Sequence, residues 1–482
     1  MTYVGHMTST EKATYLRNTS ILLLSQAGIM IMAFLLKPVL ARVLGPAEYG
    51  VFALVLSTAA ILPLFTEFAA AGAVHYLAAR YAHNPKIVAD ILTTTLTTTV
   101  FLYALTYIPV TYVVSVLAGP QTANVFSLAF IVALSTSVFY ILQNVQQALE
   151  KFKAYSLTSF FSALASGLLA LAGAYLFQSA SASVILRASG ALMVAIGGLW
   201  ALRSFGRFDP ERLKELVFYN APLILAGVFS SFPAIIDRYL LTYFHTVTDV
   251  GQYDIAYTFA FAVMPFSSAL LLAMAPRIVK SRESLPSYYL QISRVMALLV
   301  TLFALALLYF SDIIIDQLLG AAFQPAVPIL QIICLGLPFA ALISINSTSL
   351  TSLKKIKVAG AFSVLTAFLL FTLNFLLVKP YGSIGAAIAS VGTFLVIASA
   401  GTAYLWFFHK VRIAETLHQW AIFFLFGGAY LAIEPFGIAA KILAYALFVL
   451  ATYGLHRSVI KEMMRVLYTQ IRPYIHPPLQ KP

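Results

Sequence analysis

The sequence predicts an all-α, polytopic membrane protein with about fourteen transmembrane helices, and three observations predict it. The 482 residues are 61% hydrophobic and only 10% charged, with a mean hydropathy of +0.90, whereas a soluble domain is about one quarter charged. Apolar stretches near the roughly 20 residues that cross a bilayer recur from end to end. The segments between them alternate in basic charge, as inner and outer loops do.

In the first half, helices are expected near 18–43, 50–79, 91–116, 125–149, 156–177 and 184–203. The first runs into LLKPVLARVLGPAEYG (35–50), whose Gly-Pro turn separates it from the second. The fourth ends in the polar run QNVQQALEKFK (143–153), a basic hairpin. A link near 204–216, GRFDPERLKELVF, opens the second half, with helices near 217–244, 252–276, 290–311, 325–351, 357–378 and 384–408. NSTSLTSLKKIK (346–357) makes the second basic hairpin, and PYGSIGAAIAS (380–390) precedes the twelfth helix. Two further helices near 418–434 and 437–456 are almost purely apolar, IFFLFGGAYLAI and ILAYALFVLATYGL. The tail HRSVIKEMMRVLYTQIRPYIHPP (456–478) spaces Val459, Met463, Val466 and Leu467 on one face among basic residues, an amphipathic helix for the inner leaflet.

With the amino terminus inside, the inner segments collect every Lys and Arg except Lys37, Arg42, Arg187, Arg238, Lys379 and Lys441. Both termini are therefore expected in the cytoplasm, with the chain in the cell membrane. The net charge of +13 then reflects topology, and nucleic acid is not an expected partner. No loop is long enough to fold alone. The single cysteine, Cys334, lies in an apolar run, which excludes a disulfide framework. No Gly-rich phosphate loop followed by Lys is present, so ATP does not drive the chain directly. VLA at 39–41 has the form of a signal-peptide end, but the same region takes part in an internal repeat.

At a shift of 201 residues, KPVLARVLGPAEYGVF (37–52) lies over RYLLTYFHTVTDVGQY (238–253). Lys37 falls on Arg238, Glu48 on Asp249, Gly50 on Gly251 and Phe52 on Tyr253. Pro63 and Pro265 match to within one residue, and the two basic hairpins match at a shift of 204. Six intervening helices keep the orientation, so the repeats are parallel, about an axis along the membrane normal. The expected organisation is an N-lobe over 1–203, a C-lobe over 204–410, extra helices over 411–456 and a cytoplasmic amphipathic tail over 457–482.

Two such lobes enclose a cavity that rocking exposes to alternate sides. A cation at membrane depth usually faces the bundle interior or such a cavity. Lys37 and Arg238 are therefore expected to face each other across it as two positive charges, and Pro38 frees backbone groups that lipid would not satisfy. Snorkelling to the interface is the other reading, and for Arg42 the residues favour it. Lys37, Arg238 and Arg42 form the candidate substrate-binding set.

ARVLGPAEYGVFAL, DRYLLTYFHTVTDVGQYDIAY and PYGSIGAAIAS resemble the polysaccharide-transporter (Wzx-type) branch of the MOP flippase superfamily, related to MurJ and to MATE exporters. The resemblance spans roughly residues 15 to 410. It implies a polyprenyl-diphosphate-linked glycan as cargo, inward-to-outward transport and a cationic lumen, here offered by Lys37 and Arg238. Fourteen helices resemble the MurJ arrangement, where the last two extend a groove for the lipid tail. Such a lumen suits a diphosphate and a sugar chain, neither of which can enter hydrocarbon. Lys meets phosphate as a point charge, and Arg can do so bidentately.

Coupling to Na+ or H+ would use intramembrane carboxylates. Glu67, mid-helix in LPLFTEFAAAGA, and Asp237 are the candidates, with a structural role open for both. The MurJ-like branch has a sodium site between helices 7, 11 and 12, which implies Asp237, Asn374 and Thr393 here. Val378, one turn past Asn374, stands where a second carboxylate would strengthen it. No resident cofactor is expected. The partners expected are the glycolipid, membrane lipids and other glycan-assembly membrane proteins, with the chain itself a monomer. A MATE-like cation antiporter is one alternative, although Lys37 and Arg238 would repel its cargo. A polytopic glycan polymerase or glycosyltransferase is another, but the catalytic or acidic metal-binding outer loop it needs is absent. Glu48 and Asp249 stand in turns where capping is the ordinary role, and His75, His83 and His245 lack ligand spacing. The chain is expected not to be an enzyme.

Overall fold

The computed structural model describes residues 9–66, 70–202, 205–232, 235–265, 267–268, 271, 285–411, 414–454 and 457. Among them there is no strand. The helices are α1 (Ser9–Thr66), α2 (Ala70–Arg80), α3 (Pro85–Ala118), α4 (Pro120–Ala148), α5 (Phe152–Phe177), α6 (Ala180–Leu202) and α7 (Pro210–Ser231). They continue as α8 (Ile236–Phe244), α9 (Val247–Ala260), α10 (Leu285–Leu319), α11 (Ala326–Ser352), α12 (Ile356–His409), α13 (Ala414–Ile433) and α14 (437–454). The tail beyond 457 lies outside the described residues, as do Glu67 and most of the last third of the segment expected as the eighth helix.

Nine helical stretches among the described residues are long and apolar enough to cross a membrane. Three of them join two expected spans. Within α1 the only non-helical residue is Gly45 (φ 72°), immediately before Pro46, and within α12 it is Gly382 (φ 57°). The expected loops at GPAEYG and PYG are thus single-residue hinges, with Pro46 starting the next helical run where its missing N–H costs nothing. The third joins α13 to α14 through a 3-10 turn, Glu434–Phe436. The helix expected over 217–244 is interrupted between Ser231 and Ile236, beside Pro233, which cannot supply a helical N–H.

The repeat is visible in the backbone. Leu149, Glu150 and Lys151 donate to the carbonyls of Val145, Gln147 and Gln146, and Leu353, Lys354 and Lys355 donate to those of Ser349, Thr351 and Leu350. Each residue sits 204 positions from its counterpart, and Glu150 (φ 55°) and Lys354 (φ 61°) share a left-handed conformation. Gly119 and Gly320, matched at 201, both have φ 87°.

The chain divides into two compact units, Met1–Ile255 with Leu318–Phe323, and Ala256–Gln317 with Gln324–Pro482. The first therefore includes α7 and α8, beyond the lobe boundary expected at residue 203. Its core gathers Val74, Leu77, Ile91, Leu92, Ile141 and Leu142. Along α3 the exposed large apolar side chains include Phe101, Leu105, Ile108, Tyr112 and Val116, spaced three or four apart, with Val100, Tyr107, Val113 and Leu117 widening the stripe into an apolar face suited to lipid. In the second unit, α13 and α14 are tied to α10 by polar bonds. Gln419 donates to Thr301 Oγ1 (2.8 Å), Tyr309 Oη to the Phe426 carbonyl (2.9 Å) and Lys441 Nζ to Asp312 Oδ2 (2.8 Å). Two helices that are nearly all apolar in sequence thus hold their place by a few hydrogen bonds in an apolar setting.

Within the first unit, α1 and α9 cross at the matched glycines. A Cβ on Gly50 would lie 1.9 Å from the Val247 carbonyl oxygen, and one on Gly251 would lie 2.1 Å from that of Pro46. Pro46 and Val247 are themselves 201 apart, so the crossing is reciprocal. Because the obstacle is backbone, the two helices would have to part. Gly251→Ala should therefore cost at least the upper part of the about 1–3 kcal/mol typical of overpacking, read as a fall in thermal midpoint in detergent. Gly197→Ala, where the new methyl meets nothing within 4 Å, should leave the midpoint unchanged or higher.

Candidate functional site

The glycine crossing decides which side chains meet. It sets Tyr49, one residue before Gly50, beside Asp254, one turn after Gly251. The short α8 contributes Asp237 and Arg238 from its first turn, and α1 contributes Lys37, just before Pro38. Arg238 donates to Asp254 Oδ1 from Nη2 (2.6 Å) and Nε (3.1 Å). Its Nη1 reaches Asp237 Oδ1 at 3.3 Å, and its backbone N–H donates to the same oxygen at 2.9 Å. The other carboxylate oxygen, Asp254 Oδ2, accepts from Tyr49 Oη at 3.0 Å and faces Lys37 Nζ at 4.0 Å.

The expected pair of facing positive charges is therefore a cluster of two cations and two carboxylates, formally neutral. Charges removed from water are tolerable when paired and hydrogen-bonded in this way. The two cations are not equivalent. The Arg238 side chain is 10% exposed and its guanidinium bonds both carboxylates, whereas the Lys37 side chain is 38% exposed and its pairing is long. Both line a cavity of about 230 Å³ with Tyr49, Ser57, Ile235 and Asp254.

Arg42 is exposed on α1, one turn before Gly45, and is not among the residues lining this cavity. Asp237 is buried and engaged by Arg238. In the second unit, Asn374 and Thr393 are fully buried. Asn374 Nδ2 donates to the Leu370 carbonyl (2.9 Å), while its Oδ1 has no hydrogen-bond partner among the described residues. Thr393 Oγ1 donates to the Ala389 carbonyl (2.8 Å), leaving its lone pairs available. Buried amide and hydroxyl oxygens are suitable ligands for a hard cation. No group of three His, Cys, Asp or Glu that could hold a metal occurs among the described residues. Glu48 and Asp249 do cap helices: Glu48 Oε2 accepts from the Ala180 N–H that opens α6 (2.6 Å), and Asp249 Oδ2 from the Thr246 N–H (3.2 Å).

Sequence reasoning does not place two charged residues in the site, although both stand out as charges at membrane depth. Asp254 is not placed there because its repeat partner is Ala53; the available signal is that two cations at membrane depth need a counter-charge within reach, and Asp254 lies one turn past Gly251. Arg187, on α6, lines a larger cavity of about 460 Å³ that also contains Lys37.

Residues 15–282 match the polysaccharide biosynthesis protein family. An uncharacterised membrane protein of Methanocaldococcus jannaschii is 25% identical over 231 residues, 46% of this chain and 44% of that protein. The probable low-salt glycan biosynthesis flippase Agl15 of Haloferax volcanii is 25% identical over 217 residues, 44% of this chain and 46% of that protein. The chain thus spans about half the length of these two relatives. In fold it is similar to the lipid II flippase MurJ in an inward closed conformation, with a TM-score of 0.68, 16% identity and coverage of 91% of this chain and 99% of that one. The MATE multidrug transporter DinF-BH is also similar, at a TM-score of 0.55 and 14% identity over 81% of this chain and 94% of that one. At these identities the likeness concerns the fold, which is that of multi-pass membrane transport proteins.

Proposed function

Because the chain belongs to the polysaccharide biosynthesis protein family, we propose that it is a flippase carrying a polyprenyl-diphosphate-linked oligosaccharide from the inner to the outer leaflet by alternating access. The observation that carries this reading is the partly exposed ammonium of Lys37, held at 4.0 Å from a carboxylate in a membrane-spanning helix. A partly exposed lysine beside a carboxylate can exchange that carboxylate for a phosphate of the cargo. Arg238, bonded to Asp237 and Asp254, has a different part. It fixes Asp254 as the counter-ion that Lys37 leaves when phosphate arrives and regains when phosphate departs. The wet cavity spares the diphosphate a passage through hydrocarbon, and the polyprenyl tail stays in lipid.

The test is transport in proteoliposomes of a fluorescent polyprenyl-diphosphate glycolipid beside a cationic dye. Movement of the glycolipid alone supports the proposal. Movement of the dye alone, as a multidrug antiporter would give, overturns it. Ion coupling belongs to the same proposal, with the buried oxygens of Asn374 and Thr393 in the second unit as candidate ligands. A sodium or proton gradient should then raise the rate, and transport indifferent to both gradients removes coupling from the account.

Both termini are proposed to be cytoplasmic. Gly206 is a poor site for a reporter cysteine, since a Cβ there would lie 2.3 Å from Asp90 Oδ1. Phe205, exposed beside it, and Gln121 at the start of α4 are better. Cys334 is fully buried and serves as a silent background. Gln121→Cys should react with an impermeant thiol reagent from outside and Phe205→Cys only after permeabilisation. Labelling of both from one side of intact cells would contradict the topology.

A further inference from the structure

Between α3 and α7 the first unit holds another cavity, of about 540 Å³, a size within the about 300–1,000 Å³ of small-molecule sites. Residues 93–99 of α3 read TTTLTTT, a polar run in an otherwise apolar span. Part of this run has a structural use. Gly206, Arg207 and Asp209, in the link before α7, donate their N–H groups to Thr93 Oγ1 (2.9 Å), Asp90 Oδ1 (2.7 Å) and Thr94 Oγ1 (2.9 Å). The link is thereby pinned to α3, and Phe208 becomes part of the cavity wall. Thr95 Oγ1 donates to the Ile91 carbonyl (2.7 Å), the usual back-bond of a helical threonine. Thr98 departs from this pattern: its Oγ1 is buried without a hydrogen-bond partner among the described residues. On the α7 wall, Asn220 is 1% exposed and its Oδ1 is equally unpartnered. Both residues line the cavity, and polar atoms left unpaired in an apolar setting are costly.

The lining defines what would relieve them. It contains no Lys, Arg, His, Asp or Glu, so a charged ligand would lie unbalanced in a low-dielectric setting. The diphosphate head of the proposed cargo does not belong here. An amide oxygen only accepts, so the ligand must donate to Asn220; a threonine hydroxyl also donates, so the same ligand atom can accept from Thr98. A hydroxyl group does both. Phe101, Phe208 and Val217 line the cavity and also present exposed surface. Phe101 belongs to the apolar face of α3 as well, so the mouth opens where lipid lies. We propose that this cavity binds an uncharged long-chain alcohol drawn from the bilayer. Its hydroxyl is held by Thr98 Oγ1 and Asn220 Oδ1, and its chain lies against Phe101, Phe208 and Val217. The site shares no residue with the cavity holding Lys37 and Arg238, and it does not depend on the flippase reading.

The probe is hexadecan-1-ol carrying a diazirine in its chain, with the corresponding methyl ether as control. Each is photolysed with the full chain in lipid nanodiscs, and the adducts are located by mass spectrometry. The alcohol should label residues 95–102 and 208–220 severalfold more than the ether, which keeps the chain but cannot donate. Excess unlabelled hexadecan-1-ol should suppress that labelling. Asn220→Leu should erase the preference for alcohol over ether. Thr97→Trp, at an exposed position on the lining, should block labelling of 208–220 by obstructing the cavity. Equal labelling by alcohol and ether, as when water alone meets the two oxygens, would overturn the site. So would a preference unchanged in folded Asn220→Leu, or adducts spread evenly along α3 from Leu105 to Val116, which mark ordinary lipid contact only. Should Asn220→Leu fail to fold, undiminished labelling of 208–220 in Thr97→Trp overturns the proposal equally.

Discussion

Arg238→Ala should lose most of the folded protein. The Arg238 guanidinium is nearly inaccessible and bonds Asp254 and Asp237 together, at 2.6 and 3.3 Å. Removing it leaves two buried carboxylates that have lost their shared guanidinium, with Lys37 4.0 Å from Asp254 Oδ2. Breaking a buried ion pair from one side costs about 3–5 kcal/mol, a large part of the about 5–15 kcal/mol that holds a typical domain together. Arg238→Lys should fall between wild type and alanine, because one ammonium cannot span both carboxylates as the fork does. Neutralising the whole group (Lys37→Met and Arg238→Met with Asp237→Asn and Asp254→Asn) should recover folded protein, since no charge of the cluster is then left unpaired. Size-exclusion profiles and thermal midpoints in detergent measure all three. An Arg238→Ala protein as stable as wild type would mean that the cluster does not hold α8 and α9 in place.

That expectation differs from the one the sequence supports, and the difference shows where sequence reading stops. The apolar runs and alternating charges place the helices, and the hinges at Gly45 and Gly382 fall where GPAEYG and PYG interrupt those runs. The 201-residue repeat places Lys37 and Arg238 in corresponding positions, and the matched Gly50 and Gly251 prove to be the contact between α1 and α9. Asp254 is not legible in the same way. It breaks the repeat, standing where the first copy has Ala53, and its partnership with both cations depends on a helix crossing that no local pattern encodes. Arg187 is hidden for another reason. A helix apolar almost all round carries little periodic signal about which face looks inward, so SASVILRASGALM does not reveal that its arginine turns toward the serines of α5.

Lys37 carries the largest expected effect on transport itself. Its side chain is the more exposed of the cluster's two cations, it borders two cavities of the first unit, and Arg238 bonds both carboxylates independently of it. Losing one charge-assisted contact to phosphate should weaken cargo binding by about 1.5–3 kcal/mol, roughly ten- to a hundredfold. Lys37→Arg keeps the charge and should be milder than Lys37→Ala. If Lys37 leaves Asp254 to meet phosphate, the two residues are coupled, and Lys37→Ala combined with Asp254→Asn should depart from additivity.

The most direct measurement is the initial rate of glycolipid flipping in proteoliposomes for wild type, Lys37→Arg, Lys37→Gln and Lys37→Ala, each shown to be folded by its size-exclusion profile. The account predicts transport by the two cationic forms and a roughly ten- to a hundredfold loss in the two neutral ones. Wild-type rates from folded Lys37→Gln and Lys37→Ala would contradict it, because a side chain that merely reaches for the interface could be neutralised without cost to the cargo.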